Sequence, residues 1–87
     1  MLFLITVRTP TTSYKAVIDR FKAGGGPPPP GVRMLGRWHR TDGSGAVVIA
    51  ESTDAVALAR WAREWADVIS LETVPVVTDE DMAAVLA

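Results

Sequence analysis

The 87-residue chain has no cysteine, a single histidine and no long run of apolar residues. Without cysteine it forms neither a disulfide nor a thiolate metal site, and one histidine argues against a structural zinc site within a single chain. No apolar run approaches the roughly 20 residues that a membrane-spanning helix needs. The first residues lack the basic flank and cleavage site of a signal peptide. We therefore expect a cytoplasmic protein with no metal, no cofactor and no membrane partner.

Length and charge bound the remaining classes. Residues 1–87 allow one domain. The net charge of −1 argues against nucleic acid as the main partner. Apolar residues make up 48% of the chain, which is high for so small a protein, so we expect a second copy to cover some of this surface. Residues 1–45 carry seven basic and two acidic side chains, whereas residues 46–87 carry two basic and eight acidic ones. These oppositely charged segments either attract each other or are ordinary solvated faces.

Hydrophobic periodicity predicts the element order βαββαβ followed by a short helix. The predicted strands span residues 2–8, 32–41, 46–51 and 68–77. This order is the ferredoxin-like α+β arrangement, in which helices cover one face of an antiparallel sheet. The other face is apolar as well, and two sheets packed face to face in a homodimer, as in a dimeric α+β barrel, would cover it.

The helix boundaries follow from capping and breaking residues. Thr11 to Ser13 offer hydroxyl groups at the start of the first helix, which ends at Gly24-Gly25-Gly26. Ser52-Thr53-Asp54 offers an N-cap for a second helix over about 54–66, and the three acids from Asp79 suit the start of the last one. Residues 27–30 are four prolines, which predict a stiff segment before the second strand.

Side-chain alternation divides the second strand between two faces of the sheet. A two-residue turn at Gly43-Ser44 would set His39 opposite Val48 and Arg37 opposite Ala50. The face with these two polar residues would bear Leu35, Arg37, His39, Ala46, Val48 and Ala50. The other face would bear Met34, Gly36, Trp38, Val47, Ile49 and Glu51. If the hollow face is the helix-covered one, we expect Trp38 to mark the site and His39 to belong to the dimer seam.

Arg37 and His39 are the candidate catalytic residues. The small residues expected opposite them leave room for a pocket wall. A neutral imidazole accepts a proton from an acidic phenol or a 1,3-dicarbonyl carbon, and a guanidinium stabilises the resulting anion. The alternative is that both side chains only make hydrogen bonds at a dimer seam or in solvent. The sequence shows no carboxylate that would orient the imidazole.

Three tryptophans are candidate ligand-binding residues. Trp61 and Trp65 are one helical turn apart, so both should point towards the sheet. If the strand face that carries Trp38 meets the helices, three indoles line one cavity suited to a flat aromatic ligand. The alternative is that the three side chains only pack in the core.

Two further residues complete the candidate ligand-binding set. Tyr14 begins the apolar stripe of the first helix. Glu51 shares the Trp38 face at the end of a strand. It is either an acid or base in the cavity or, in the interpretation that we favour, an ion-pair partner of Arg33 or Lys22.

Several short motifs recur together in a known family. They are Ser13-Tyr14-Lys15, Arg20-Phe21, the Gly- and Pro-rich loop, Gly36-Arg37-Trp38-His39, Trp61, Trp65-Ala66-Asp67 and Val74-Pro75-Val76. In this set and order the chain resembles the bacterial domain-of-unknown-function family three-three-zero-three, which is related to the dimeric α+β barrel superfamily. That superfamily includes cofactor-free monooxygenases of polyketide quinones, small isomerases and cyclases, and ligand-sensing domains. The resemblance implies a fold and leaves the function open.

The sequence thus favours a homodimeric, small-molecule-binding α+β barrel protein. One form of this function is a cofactor-independent enzyme of the monooxygenase, isomerase or cyclase type, acting on an aromatic or polyketide-like compound. The alternative is a non-catalytic ligand-binding or dimeric assembly module.

Overall fold

The computed structural model describes residues 1–87 as four strands and three α-helices. In chain order these are β1 (Leu2–Arg8), α1 (Tyr14–Gly24), β2 (Val32–His39), β3 (Gly45–Ser52), α2 (Ala55–Trp65), β4 (Ser70–Val76) and α3 (Asp79–Val85). The strands form one sheet in the order β2-β3-β1-β4, and each neighbouring pair is antiparallel. The predicted ferredoxin-like α+β fold is therefore confirmed.

Capping residues explain where the helices begin and end. Of the three residues that the sequence offers as a cap, Asp54 accepts hydrogen bonds from two backbone N–H groups in the first turn of α2. At α3, Thr78 and Asp81 form a capping box. α1 ends at Gly25, whose φ of 74° lies in the left-handed region, whereas Ser13 at its start makes no side-chain cap. No helix has the length and apolar character to cross a bilayer.

The turn between β2 and β3 is longer than the two residues predicted. β2 ends at His39 and β3 begins at Gly45, so the connection spans residues 40–44. As a result His39 pairs with Ala46 and Arg37 with Val48, and the predicted pairing is wrong by two positions. A shift of two leaves each side chain on its predicted face, because alternation has a period of two.

A β-bulge at Leu35 changes the face on which the preceding residues of β2 lie. The register shifts between Met34 and Gly36, so that Met34 pairs with Ala50. Met34 therefore packs against the buried core on the Arg37 side of the sheet. Its predicted place on the Trp38 face is wrong, because the extra residue in the bulge reverses the alternation before it.

The buried core is small and comes from the sheet and α2. Its members are Ile5, Val32, Val48, Ala50, Ala57, Leu58 and Trp61. α1 contributes no buried residue, although its apolar stripe faces the sheet. The first helix thus stands over the sheet without filling the space between them.

The opposite face of the sheet is uncovered in the single chain. Its central row is apolar, with Leu4 lying between Ile49 of β3 and Val74 of β4. Trp38 on β2 is 61% exposed and Val74 is 40% exposed. We call this surface the open face. The expectation that one apolar face remains uncovered by the chain's own helices is met.

Candidate functional site

A cavity of about 500 Å³ lies between the sheet and helices α1 and α2. This volume falls within the roughly 300–1,000 Å³ typical of small-molecule pockets. The apolar lining includes Ile5, Phe21, Val48, Leu58, Trp61, Trp65 and Leu71. The rim is polar and includes the half-buried Thr9 and the exposed Tyr14, Arg40, Thr41 and Asp42. The helix-covered face of the sheet is therefore the hollow one.

Arg37 and His39 both line this cavity. Side-chain alternation places them on the same face of β2, beside their cross-strand partners Val48 and Ala46 of β3. The expectation that a hollow helix-covered face would send His39 to a dimer seam is wrong. That expectation assumed that the helices pack on the Trp38 face. They pack instead on the face that carries Arg37 and His39.

Trp38 lies outside the cavity, on the open face. Its indole lies over Gly36 of the same strand, where the missing side chain leaves space for the ring. Trp61 and Trp65 line the cavity on the other side of the sheet. The expectation that three indoles share one cavity is therefore wrong, because only Trp61 and Trp65 line it.

The guanidinium of Arg37 donates hydrogen bonds to two backbone carbonyl groups. Its Nη1 donates to the carbonyl of Gly26 and its Nη2 to that of Gly25, each at 2.9 Å. The two glycines have φ values of 60° and 74°, which only glycine adopts without strain, and this turn aims both carbonyls at the guanidinium. The charged group also lies 4.7 Å from the ring centroid of Phe21. No carboxylate pairs with Arg37, which is partly buried.

The imidazole of His39 lies near the cavity mouth. Its ring meets Phe21 edge-on, with centroids 5.4 Å apart and planes at 77°. The side chain is exposed, and no protein group hydrogen-bonds it. Phe21 thus contacts both polar side chains of the wall, with the guanidinium over its ring and the imidazole in a T-shaped contact.

The two remaining sequence candidates have separate positions. Tyr14 is at the rim, where its ring packs against Gly43 in the β2–β3 turn. Glu51 is outside the cavity and pairs with Arg33 across β2 and β3 at 3.3 Å. The favoured interpretation of Glu51 as an ion-pair partner of Arg33 is confirmed, and its alternative place as an acid or base in the cavity is wrong, because its side chain is on the other face.

At the rim of the cavity, Asp42 and Arg40 form an ion pair. Asp42 accepts hydrogen bonds from the hydroxyl and the backbone N–H of Ser44, and these bonds hold the pKa of its carboxyl below the ordinary value. Arg40 lies 3.9 Å from the same carboxylate and adds a smaller effect in the same direction. No group of three histidine or carboxylate side chains comes together in a way that would hold a metal ion.

The whole chain, residues 1–87, matches the family model described as Domain of unknown function (DUF3303). The chain belongs to the DUF3303 family. The family predicted from the recurring motifs is thereby confirmed. No curated protein is significantly similar to this DUF3303 chain.

A solved structure supports the fold of the DUF3303 chain. The structure of Rv0793 from Mycobacterium tuberculosis is similar to it, with a TM-score of 0.52 and 10% sequence identity. The match covers 90% of this chain and 96% of that one. At this identity the similarity shows a shared fold alone.

Arg20 and Asp67 join α1 to the segment that follows α2. Arg20 makes a two-fold contact with the carboxylate of Asp67, at 2.9 and 2.7 Å, and also donates to the carbonyl of Glu64. Its guanidinium lies 5.4 Å from the ring of Trp65. The bonds lower the pKa of Asp67 and raise that of Arg20. We call this contact between α1 and the end of α2 the clasp.

Sequence reasoning missed the clasp and the role of Phe21. Both clasp residues are in motifs on which the family resemblance rests, Arg20-Phe21 and Trp65-Ala66-Asp67. Opposite charges in two recurring motifs were the available signal. The sequence places Phe21 only in the Arg20-Phe21 motif, because its contacts with Arg37 and His39 depend on how α1 crosses β2.

Proposed function

We propose that this DUF3303 protein binds a small molecule with an aromatic or comparably flat ring system between its sheet and helices. The observation that carries the proposal is the cavity of about 500 Å³, with Trp61, Trp65 and Phe21 in its lining. Aromatic side chains supply large apolar contact areas and prefer offset or edge contacts with other rings. A polyketide-like compound of a few fused rings has the shape and polarity for such a space.

The loose contact between α1 and the sheet supports this function. Val17, Ile18 and Phe21 line the cavity, yet none of them is buried. Apolar surface that remains in contact with water costs about 25 cal/mol for each Å². A ring system in the cavity would remove this surface from water and complete the core.

We further propose that two copies associate through the open face. Leu4, Ile49, Val74 and Trp38 present apolar surface there, and the chain has no element to cover it. Packing of a second sheet on this face would bury these side chains, as in other face-to-face sheet pairs. The cavity lies on the other side of the sheet, so each protomer would keep its own site.

Catalysis without a cofactor is a second candidate function, favoured by the two polar side chains on the cavity wall. His39 would accept a proton from an acidic phenol or dicarbonyl carbon of the ligand, and Arg37 would stabilise the anion that forms. The alternative, a non-catalytic binding or assembly module, is favoured by the imidazole having no carboxylate to orient it. The two candidates differ in what His39 does.

A His39→Ala substitution separates these candidates. The side chain is exposed and makes no hydrogen bond, so we expect its removal to change the free energy of unfolding by no more than about 0.5 kcal/mol. If the protein is an enzyme, turnover of a bound compound falls at least a hundredfold while binding remains. Unchanged turnover would assign His39 no role in proton transfer.

The binding function itself is tested by tryptophan fluorescence against a set of naphthyl, naphthoquinone and anthraquinone compounds. We expect some of them to quench or shift the emission, because two indoles line the cavity. The matched controls are Trp38→Phe, in which the signal should persist, and the Trp61→Phe, Trp65→Phe double variant, in which it should disappear. A signal that depends on Trp38 alone would contradict a site in this cavity.

A further inference from the structure

The charged side chains of the cavity lining are not balanced. Asp42 is the one carboxylate among them, and it is taken by the Ser44 hydrogen bonds and by Arg40. Arg37 and His39 line the same cavity and have no acidic partner. The wall therefore offers a positive charge without a counter-ion.

The guanidinium of Arg37 is oriented by neutral groups. The carbonyls of Gly25 and Gly26 take one N–H from each terminal nitrogen. Arginine has five N–H donors, so three remain for another partner. A planar guanidinium that is already fixed in direction is well suited to a carboxylate, and partial burial strengthens the attraction.

The positions of the two side chains define where an anion would lie. Arg37 and His39 are two residues apart on one face of β2, which places their Cα atoms about 6.6 Å apart. The residue opposite His39 is Ala46, whose small side chain leaves space beside the imidazole. Beyond Phe21 the lining becomes apolar, with Trp61 and Trp65.

We infer that the ligand of this cavity is an apolar ring compound that carries a carboxylate, held between Arg37 and His39. The inference rests on the proposed binding function and adds the chemical class of the ligand. An amine in the same place would meet the charge of Arg37 with no acid to offset it. A neutral ligand would leave that charge without a counter-ion.

Three probes of the same shape test the inference by isothermal titration calorimetry. They are biphenyl-4-carboxylate, biphenyl-4-methanol and biphenyl-4-methylamine. We expect the carboxylate to bind at least tenfold more tightly than the alcohol, since a hydrogen bond to a charged group is typically worth about that factor or more. The amine should bind more weakly than the alcohol.

Two variants and a control locate the effect. Arg37→Met should weaken carboxylate binding about tenfold and leave alcohol binding nearly unchanged. His39→Gln, which does not disturb the Gly25–Gly26 segment, should weaken the carboxylate about threefold, so the test stands even if Arg37→Met fails to fold. Arg33→Met, on the same strand but outside the cavity, should leave the preference intact.

Each outcome has a distinct meaning. Equal binding of carboxylate and alcohol, or tightest binding of the amine, would overturn the inferred ligand class and leave the binding function standing. A carboxylate preference that Arg37→Met and His39→Gln both retain would also overturn it, whatever the effect of Arg33→Met. Failure of all three probes to bind would count against both proposals.

Discussion

Arg37 and Arg33 are two arginines on one strand with different surroundings. Arg37 is partly buried and donates to two backbone carbonyls of the glycine segment, while Arg33 is exposed and pairs with Glu51. The bulge at Leu35 puts the two side chains on opposite faces of the sheet, although residues four apart on a regular strand share a face. Arg37 therefore faces the cavity, and Arg33 faces solvent.

At this scale we predict different stabilities for two Arg→Met variants. Arg37→Met should lower the free energy of unfolding by about 1.5–3 kcal/mol, because two carbonyl groups lose a charged donor. Arg33→Met should cost less than about 1 kcal/mol, as is usual for an exposed ion pair. Urea denaturation of both proteins measures the difference. Equal losses would mean that the guanidinium of Arg37 does not hold the glycine segment.

Of the two helices that cover the sheet, α1 has the weaker attachment to the rest of the chain. It has no buried residue, and Arg20 supplies its side-chain hydrogen bonds to the rest of the chain. The clasp links Arg20 of α1 to Asp67 after α2, and Phe21 lies beneath the guanidinium of Arg37. These contacts, more than core packing, determine the distance between α1 and the sheet.

The clasp should make stability depend on acidic pH. Its hydrogen bonds lower the pKa of Asp67 from the ordinary 3.8, so its contribution is complete above that value and is lost as pH falls through the lower folded pKa. We expect Asp67→Asn to be less stable than the wild type at pH 7, with the difference shrinking as pH falls below about 4. Thermal unfolding of both proteins between pH 7 and pH 2 measures this.

A matched control for the clasp lies within α1. Asp19→Asn removes a carboxylate that pairs with Lys15 one turn away on an exposed helix surface. Such pairs contribute little, so its unfolding at pH 7 should resemble that of the wild type. A difference between Asp67→Asn and wild type that stays constant down to pH 2 would show that the carboxylate of Asp67 is not the source of the effect.

The sequence predicts the helices and strands well and the connections between them poorly. Periodicity and the cap at Asp54 predict the strands and helices, because these signals are local. The five-residue turn at 40–44 and the bulge at Leu35 depend on how β2 meets β3, and they altered the register and the face of Met34. Arg37 and His39 kept their shared face, but which face is hollow depends on the crossing of α1, and local sequence does not encode that crossing.

The whole molecule is extended for its length. Its radius of gyration is 14.2 Å, against about 12 Å for a compact domain of this size. The open face is uncovered, and Val85 and Leu86 at the end of α3 are 63% and 77% exposed. Apolar surface distributed in this way agrees with the proposal that a second copy completes the structure.

The proposed dimer predicts a sharp change on substitution of Trp38. We expect light scattering at micromolar concentration to give twice the mass of the chain, and Trp38→Asp to give the mass of one chain, because a carboxylate would be buried without a partner. Val56→Asp is the matched control, since Val56 is 59% exposed on α2, away from the open face. A wild-type monomer, or a dimer that Trp38→Asp leaves intact, would contradict association through the open face.

The most direct test of the central claim is a titration followed by the three indole N–H resonances of ¹⁵N-labelled protein. The added probe is biphenyl-4-carboxylate, and Trp→Phe variants assign each resonance. The indoles of Trp61 and Trp65 line the cavity, while Trp38 is on the other side of the sheet. We predict that the resonances of Trp61 and Trp65 shift with saturation while that of Trp38 remains in place. A shift confined to Trp38, or no shift at any of the three, would contradict a ligand site between the sheet and the helices.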